Sequence, residues 1–181
     1  NMSNPWVVLK FGGTSVAGLE QWKTIRSIVD RHKAHGRSVL VVCSAISQVS
    51  NRLEALARVA QSGGDVRELY EEILHIHERQ AKALEVPIDC IQDLLDDLKQ
   101  LTFGASLIGE VSPKLWARIL SSGELMSTRL AVSWLRGNQC NAYWLDAREV
   151  IVSDHLGESS PFYLSASVKA EFDPELLQNL N

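Results

Sequence analysis

The sequence predicts an α/β fold built on a mainly parallel sheet, and three observations carry that expectation. Two short apolar runs, Trp6–Phe11 and Ser38–Cys43, lack polar–apolar alternation, as strands buried on both faces do. Between them Leu19, Trp22, Ile25, Ile28 and Val29 recur at helical spacing until Gly36 stops the pattern. Strand, helix and strand over this distance make a βαβ unit, whose strands run parallel through a right-handed crossover. The third observation is composition. The 181 residues are 45% hydrophobic and 22% charged, close to globular averages and enough to bury a sizeable core.

The remaining elements follow in order. Asn51 with Glu54 reads as a capping box ahead of Leu53, Leu56, Ala57 and Ala60. Gly63-Gly64 breaks that helix; Asp65 and Glu68 open the next, which buries Leu69, Ile73, Ile76 and Leu84 and closes at Pro87. Ile91, Leu94, Leu95, Leu98 and Leu101 form another amphipathic stripe. Ser112-Pro113 sets an N-cap beside a proline at the first helical position. Ser121-Ser122-Gly123 is expected to interrupt that helix, with a new one over 125–135 that Gly137 ends. Residues 142–145 and 150–152 read as further strands, and Asp173-Pro174 begins a last helix. The helices between the second and third strands are a long insertion, more than a crossover needs.

Charge and punctuation exclude several functions. Lys plus Arg number 18 against 22 for Asp plus Glu, a formal net charge of -4, and no basic run is present. Such a chain is a poor clamp for nucleic acid. No apolar run approaches the ~20 residues that span a bilayer, and the first residues lack a secretory pattern. Asn1 before Met2 reads as a cloning remnant. Cys43, Cys90 and Cys140 are odd in number and widely spaced, which fits reduced thiols and a cytoplasmic location. His75 and His77 lie two apart on a helix and do not share a face, so they are poor metal partners.

Three motifs carry possible chemistry. Lys10-Phe11-Gly12-Gly13-Thr14-Ser15 closes the first strand, on the side of a parallel sheet where ligands bind. Its glycines let backbone N–H groups approach a phosphate, Lys10 supplies charge, and Thr14 and Ser15 supply hydroxyls. The plainer reading is a strand-to-helix turn that needs glycine. It matches neither GxxxxGK[ST] nor GxGxxG, which removes a Walker loop and a dinucleotide fingerprint. The hydroxyl-rich stretch 44–51, including Ser44 and Ser50, follows the second strand on the same sheet edge. It suits a small polar substrate or a turn and N-cap cluster. Ser122-Gly123-Glu124-Leu125-Met126-Ser127 offers Glu124 either as a carboxylate at a helix start or as the acceptor for a ligand's ammonium.

In this order and at these distances, the motifs resemble aspartate kinase of the amino-acid kinase family. The matching stretches are VVLKFGGTSVA over 7–17, VVCSAISQVSNRL over 41–53, SSGELMSTRLA over 121–131 and, less closely, YWLDAREVIV over 143–152. The resemblance implies a three-layer αβα sandwich, the amino-acid kinase fold, incomplete here and carrying the helical insertion. It implies transfer of the γ-phosphoryl of ATP to the side-chain carboxylate of L-aspartate, with Mg²⁺, on the route to lysine, threonine and methionine. Lys10 would contact the transferring phosphoryl, and Gly12, Gly13, Thr14 and Ser15 would line its pocket. Ser44 and Ser50 would hold aspartate, Ser50 where the family is expected to carry Thr, and Glu124 would pair with the substrate ammonium. No metal ligand is assigned to this chain.

The resemblance further implies that residues 1–181 are the N-terminal portion of a catalytic domain. The family's GRGGSD stretch, its downstream nucleotide-binding region and its regulatory ACT domains do not occur in them. The parent would form homo-oligomers and is expected, in some members, fused to homoserine dehydrogenase or diaminopimelate decarboxylase. The isolated chain is expected to be inactive. Two rival readings remain: another amino-acid kinase acting on glutamate or a derivative, and a non-catalytic amino-acid-binding module.

Overall fold

The computed structural model describes residues 5–151, 153–154 and 167–168. Its order begins with β1 (Trp6–Phe11), a single 3₁₀ turn (Gly13–Val16), α1 (Leu19–Ala34) and β2 (Ser38–Cys43). The expected βαβ unit is therefore present. β1 and β2 pair in parallel, with Trp6 opposite Ser38 and Phe11 opposite Cys43. Gly36, at φ 69°, turns the chain out of α1 in the left-handed region that glycine enters without steric cost.

Side chains alternate across the two strands. Leu9, Phe11, Val39 and Val41 pack inward against the core, whereas Val8 and Val42 point outward and are 62% and 42% exposed. Among the described residues the sheet thus has one buried face and one open apolar face.

Four helices follow: α2 (Val49–Gln61), α3 (Arg67–Leu84), α4 (Gln92–Ile108) and α5 (Pro113–Gly137). α2 packs against the other three, and α4 lies against α5. Their apolar stripes converge, so Leu53, Leu56, Ile73, Leu95, Leu98, Ile119, Met126 and Leu130 are fully buried. Each such side chain contributes roughly 1.5–3 kcal/mol of transfer free energy. The insertion is therefore the main core of the described chain, and the two-stranded sheet is its edge.

Several sequence expectations fail for identifiable reasons. Asn51 and Glu54 do not cap α2. Gln48, left-handed at φ 72°, turns the chain so that the helix starts at Val49, and no side chain caps it. α5 is not interrupted at Gly123 but runs unbroken over 25 residues. The Ser121 and Ser122 hydroxyls donate back to the carbonyls of Arg118 and Ile119, at 3.0 and 2.6 Å, within their own helix. The Ser112 cap does form, accepting from the Leu115 N–H at 3.2 Å with Pro113 in the first helical position.

Residues 142–145 form no strand. Arg136 Nε donates to the Ala142 carbonyl at 2.8 Å, and Trp144 Nε1 donates to Thr128 Oγ1 at 2.9 Å. Side chains of α5 thus pin this segment, and among the described residues it has no partner strand. Val150 ends a one-turn helix, α6 (Ala147–Val150), whose N-cap Asp146 accepts from the Arg148 N–H at 2.9 Å. A short antiparallel pair, β3 (Ser153–Asp154) with β4 (Ser167–Val168), follows. The helix expected from Asp173 lies outside the described residues.

The three cysteines are unpaired. Asp93 and Asp97, on the solvent-exposed face of α4, also bridge it to α5, through Arg129 at 2.6 Å and Arg118 at 2.5 Å. No helix among the described residues is long and apolar enough to cross a membrane.

Candidate functional site

The parallel register of β1 and β2 carries both carboxyl ends to one edge, which brings the first two motifs together. The Ser44 N–H donates to the Phe11 carbonyl at 3.1 Å, and the Ser47 N–H donates to the Gly13 carbonyl at 3.2 Å. The glycine turn and the hydroxyl-rich turn are therefore bonded to each other through their backbones. Gly13 is required there: a Cβ on it would stand 2.6 Å from the Ala45 carbonyl oxygen and 3.1 Å from the Ser47 nitrogen. Gly12 has open space around the position of a Cβ.

Each motif residue has a distinct setting. Lys10, next to last in β1, is exposed on the outward face of the strand, and Thr14 and Ser15 are exposed on the 3₁₀ turn. Ser44 is half-buried directly after β2, and Ser50 is exposed in the first turn of α2. Among the described residues, Lys10 is in no ion pair. The 3₁₀ turn is anchored from behind: the Val16 carbonyl accepts from Trp22 Nε1 at 3.1 Å and from Gln80 Nε2 at 2.8 Å.

The third motif joins through Gly123. A Cβ there would meet Ala45 Cβ at 2.9 Å, Leu53 Cδ1 at 3.0 Å and Val49 Cγ1 at 3.1 Å. Glycine in mid-helix lets α5 press against the turn after β2 and the start of α2, which is why it is not a break. Its neighbour Glu124 is half-buried in the middle of α5, so the helix-dipole reading of this carboxylate fails. Among the described residues its carboxylate takes no ion pair or side-chain hydrogen bond.

Cys43, the residue before Ser44, has its thiol pushed up to about 11 by burial and is no nucleophile. No group of three His, Cys, Asp or Glu among the described residues is placed to hold a metal ion.

Two features of this edge are invisible in the motifs. One is Gln48, a non-glycine residue held left-handed between Ser44 and Ser50. The other is Arg52, whose Nη1 donates to Gln48 Oε1 at 2.9 Å and whose Nε donates to Glu72 on α3 at 2.8 Å. Neither residue type signals a turn or a site; only the register of α2 reveals them.

Known proteins resemble this chain in sequence and in fold. The lysine-sensitive aspartokinase 3 of Escherichia coli K12 is 35% identical over 97% of the chain, which covers 38% of that relative. A crystal structure of E. coli aspartokinase III with lysine and aspartate, in the T-state, superposes at a TM-score of 0.73. It is 31% identical, and the match covers 97% of this chain and 36% of that one. The R-state structure with aspartate and ADP gives 0.69 at 34% identity, covering 82% and 32%. The chain thus spans less than two-fifths of the length of these relatives. The model of the amino acid kinase family matches residues 5–180. By sequence and by architecture, this chain belongs to the amino acid kinase family.

Proposed function

We propose that the protein carrying this chain is an aspartate kinase, moving the γ-phosphoryl of ATP to the side-chain carboxylate of L-aspartate and releasing 4-phospho-L-aspartate and ADP. The observation that carries this reading is the backbone junction of the two turns, Ser47 N–H to Gly13 carbonyl, with Gly123 seating the Glu124 helix against the same turn. A glycine turn suited to a phosphoryl group, a hydroxyl-rich turn and a half-buried carboxylate are held as one unit. Relatives named aspartokinase, one of them solved with aspartate in two states, support the same substrate.

The chemistry asks little more of this chain. A carboxylate nucleophile, with a pKa of ≈ 3.9, is ionised at neutral pH, so no general base is needed. Catalysis then consists of positioning and charge stabilisation. Lys10 offers its ammonium to the transferring phosphoryl, and the amides of Gly12 and Gly13, with the Thr14 and Ser15 hydroxyls, line its pocket. Ser44 and Ser50 hold the aspartate carboxylates beside the uncapped N–H groups of α2. Glu124 takes the ammonium, the partner that a half-buried carboxylate needs.

Mg²⁺ would accompany the nucleotide and neutralise phosphate charge, and the described residues form no cage of carboxylates for it. Residues 1–181 would be the N-terminal portion of the catalytic domain, acting in the cytoplasm and assembled as a homo-oligomer in the full-length protein.

The test is ADP release from ATP with and without L-aspartate, by the full-length protein, its Lys10→Ala variant and this chain alone. The expected outcome is aspartate-dependent release by the full-length protein, lost in the variant and absent from the isolated chain. Release that follows glutamate rather than aspartate would favour another amino-acid kinase. Aspartate binding unaffected by Lys10→Ala, without any turnover, would favour a non-catalytic binding module.

A further inference from the structure

Three non-glycine residues among those described have positive φ: Gln48 at 72°, Glu85 at 55° and Gln139 at 61°. Glu85 and Gln139 follow the last turns of α3 and α5, where left-handed residues commonly end helices. Gln48 stands at the start of a helix, where no such preference operates, and its side chain makes the conformation strained. It also sits between Ser44 and Ser50. Backbone strain of this kind persists only where the surroundings over-determine it.

Arg52 supplies that determination. Its N–H donates to the Gln48 carbonyl at 3.2 Å, and its Nη1 donates to Gln48 Oε1 at 2.9 Å and, at 3.5 Å, to the same carbonyl. Arg52 Nε is in turn held by Glu72 of α3 at 2.8 Å. The two side chains are 30% and 45% exposed, so their charge attraction adds little to stability. What the chain Glu72–Arg52–Gln48 adds is orientation: it ties the first turn of α2 to α3, a helix that carries none of the three motifs.

We infer that Arg52 is a positioning residue, holding Gln48 left-handed and thereby aiming Ser50 and the first turn of α2 at the amino-acid substrate, with Glu72 as its anchor. This rests on the function proposed above. Arg52 touches no substrate itself.

The experiment is steady-state kinetics of the full-length protein with aspartate and ATP varied separately. Arg52→Ala is expected to raise the aspartate KM roughly tenfold, with kcat and the ATP KM within about twofold of the parent and Tm lowered by less than about 2 °C. Glu72→Gln should move the aspartate KM the same way by less. The deciding variant is Arg52→Ala with Gln48→Gly. Glycine adopts φ 72° without a tether, so the aspartate KM should return toward the parent value. A merely structural arginine, or one that binds substrate directly, would not be rescued in this way. An unchanged aspartate KM in Arg52→Ala and Glu72→Gln, or a raised one that Gln48→Gly leaves raised, overturns the inference while the kinase assignment stands. A parent protein without aspartate-dependent turnover removes both.

Discussion

The side-chain amide of Gln80, on α3, donates to the carbonyl of Val16 at 2.8 Å, across 64 residues of sequence and in the buried interior. Val16 ends the 3₁₀ turn that follows the glycine pair, and its carbonyl also accepts from the Trp22 indole at 3.1 Å. The glycine turn is thus fastened to the helical core by a side chain no motif would select. Gln80→Leu removes that bond but leaves the carbonyl its indole partner. The expected loss is about 1 kcal/mol, within the range for a single internal hydrogen bond. Urea unfolding reads it, and faster amide exchange within the 3₁₀ turn should accompany it.

Gly123→Ala and Gly104→Ala should have opposite signs, although both replace a glycine inside a long helix. At Gly104 nothing lies within 4 Å of an added Cβ, so alanine should stabilise by about 0.5–1 kcal/mol through helix propensity. At Gly123 the new methyl meets Ala45 Cβ at 2.9 Å in a packed interior, so overpacking should outweigh propensity, at about 1–3 kcal/mol. Denaturant midpoints of the two variants decide the matter. Equal stabilisation by both would show that α5 does not press on the turn after β2.

His77 should make stability fall in mild acid. It is fully buried, with Nδ1 2.7 Å from the Ile73 carbonyl, and among the described residues its Nε2 has no partner. Burial holds its pKa below the usual imidazole value, so the unfolded chain binds this proton more readily than the folded one. Stability contributed by keeping His77 neutral is present above about pH 6.5 and is lost as pH falls toward the lower folded-state pKa, by at most about 1.4 kcal/mol per unit. His77→Leu should flatten the fall in urea midpoint between about pH 6.5 and pH 5. An identical slope in the variant would assign the acid sensitivity elsewhere.

The thiols should react in a fixed order. Cys43 and Cys140 are buried, and Cys90 is half-buried. Burial raises the pKa of Cys43 to about 11 and also raises that of Cys90. With an aromatic disulfide reagent at neutral pH, Cys90 should react slowly, and Cys43 and Cys140 only after unfolding. Mass spectrometry of the labelled peptides tests this, and early labelling of Cys43 would contradict its burial.

The parts of the fold legible in the sequence were those with local signals. Unalternated apolar runs located β1 and β2, and Gly12-Gly13 marked the turn between strand and helix because glycine is the residue such turns select. The edge shared by residues 10–15 and 44–50 followed from parallel pairing alone. What escaped was set by tertiary contact. Gly123 reads locally as a helix break, yet the packing of α5 on Ala45, Val49 and Leu53 keeps the helix whole and demands a residue without a side chain. Ala142-Tyr143-Trp144-Leu145 has strand composition but, among the described residues, no ladder to join, and Arg136, Thr128 and Arg129 hold it along α5 instead. Gln48 was hidden because glutamine signals no left-handed turn.

The bond between Ser47 N–H and the Gly13 carbonyl gives the two turns a single shared backbone spacing, so the site is a ruler as well as a pocket. Under the proposed function, a donor phosphoryl is held on one side of that spacing and the acceptor's α-ammonium and α-carboxylate on the other. An acceptor longer by one methylene overshoots by about 1.3 Å, the projection of one carbon–carbon bond along an extended chain. Misplacement of that size is enough to cost a reaction about a hundredfold. Discrimination between two homologous dicarboxylic amino acids would then rest partly on main-chain geometry, which sets the distance across which Ser44, Ser50 and Glu124 present the acceptor.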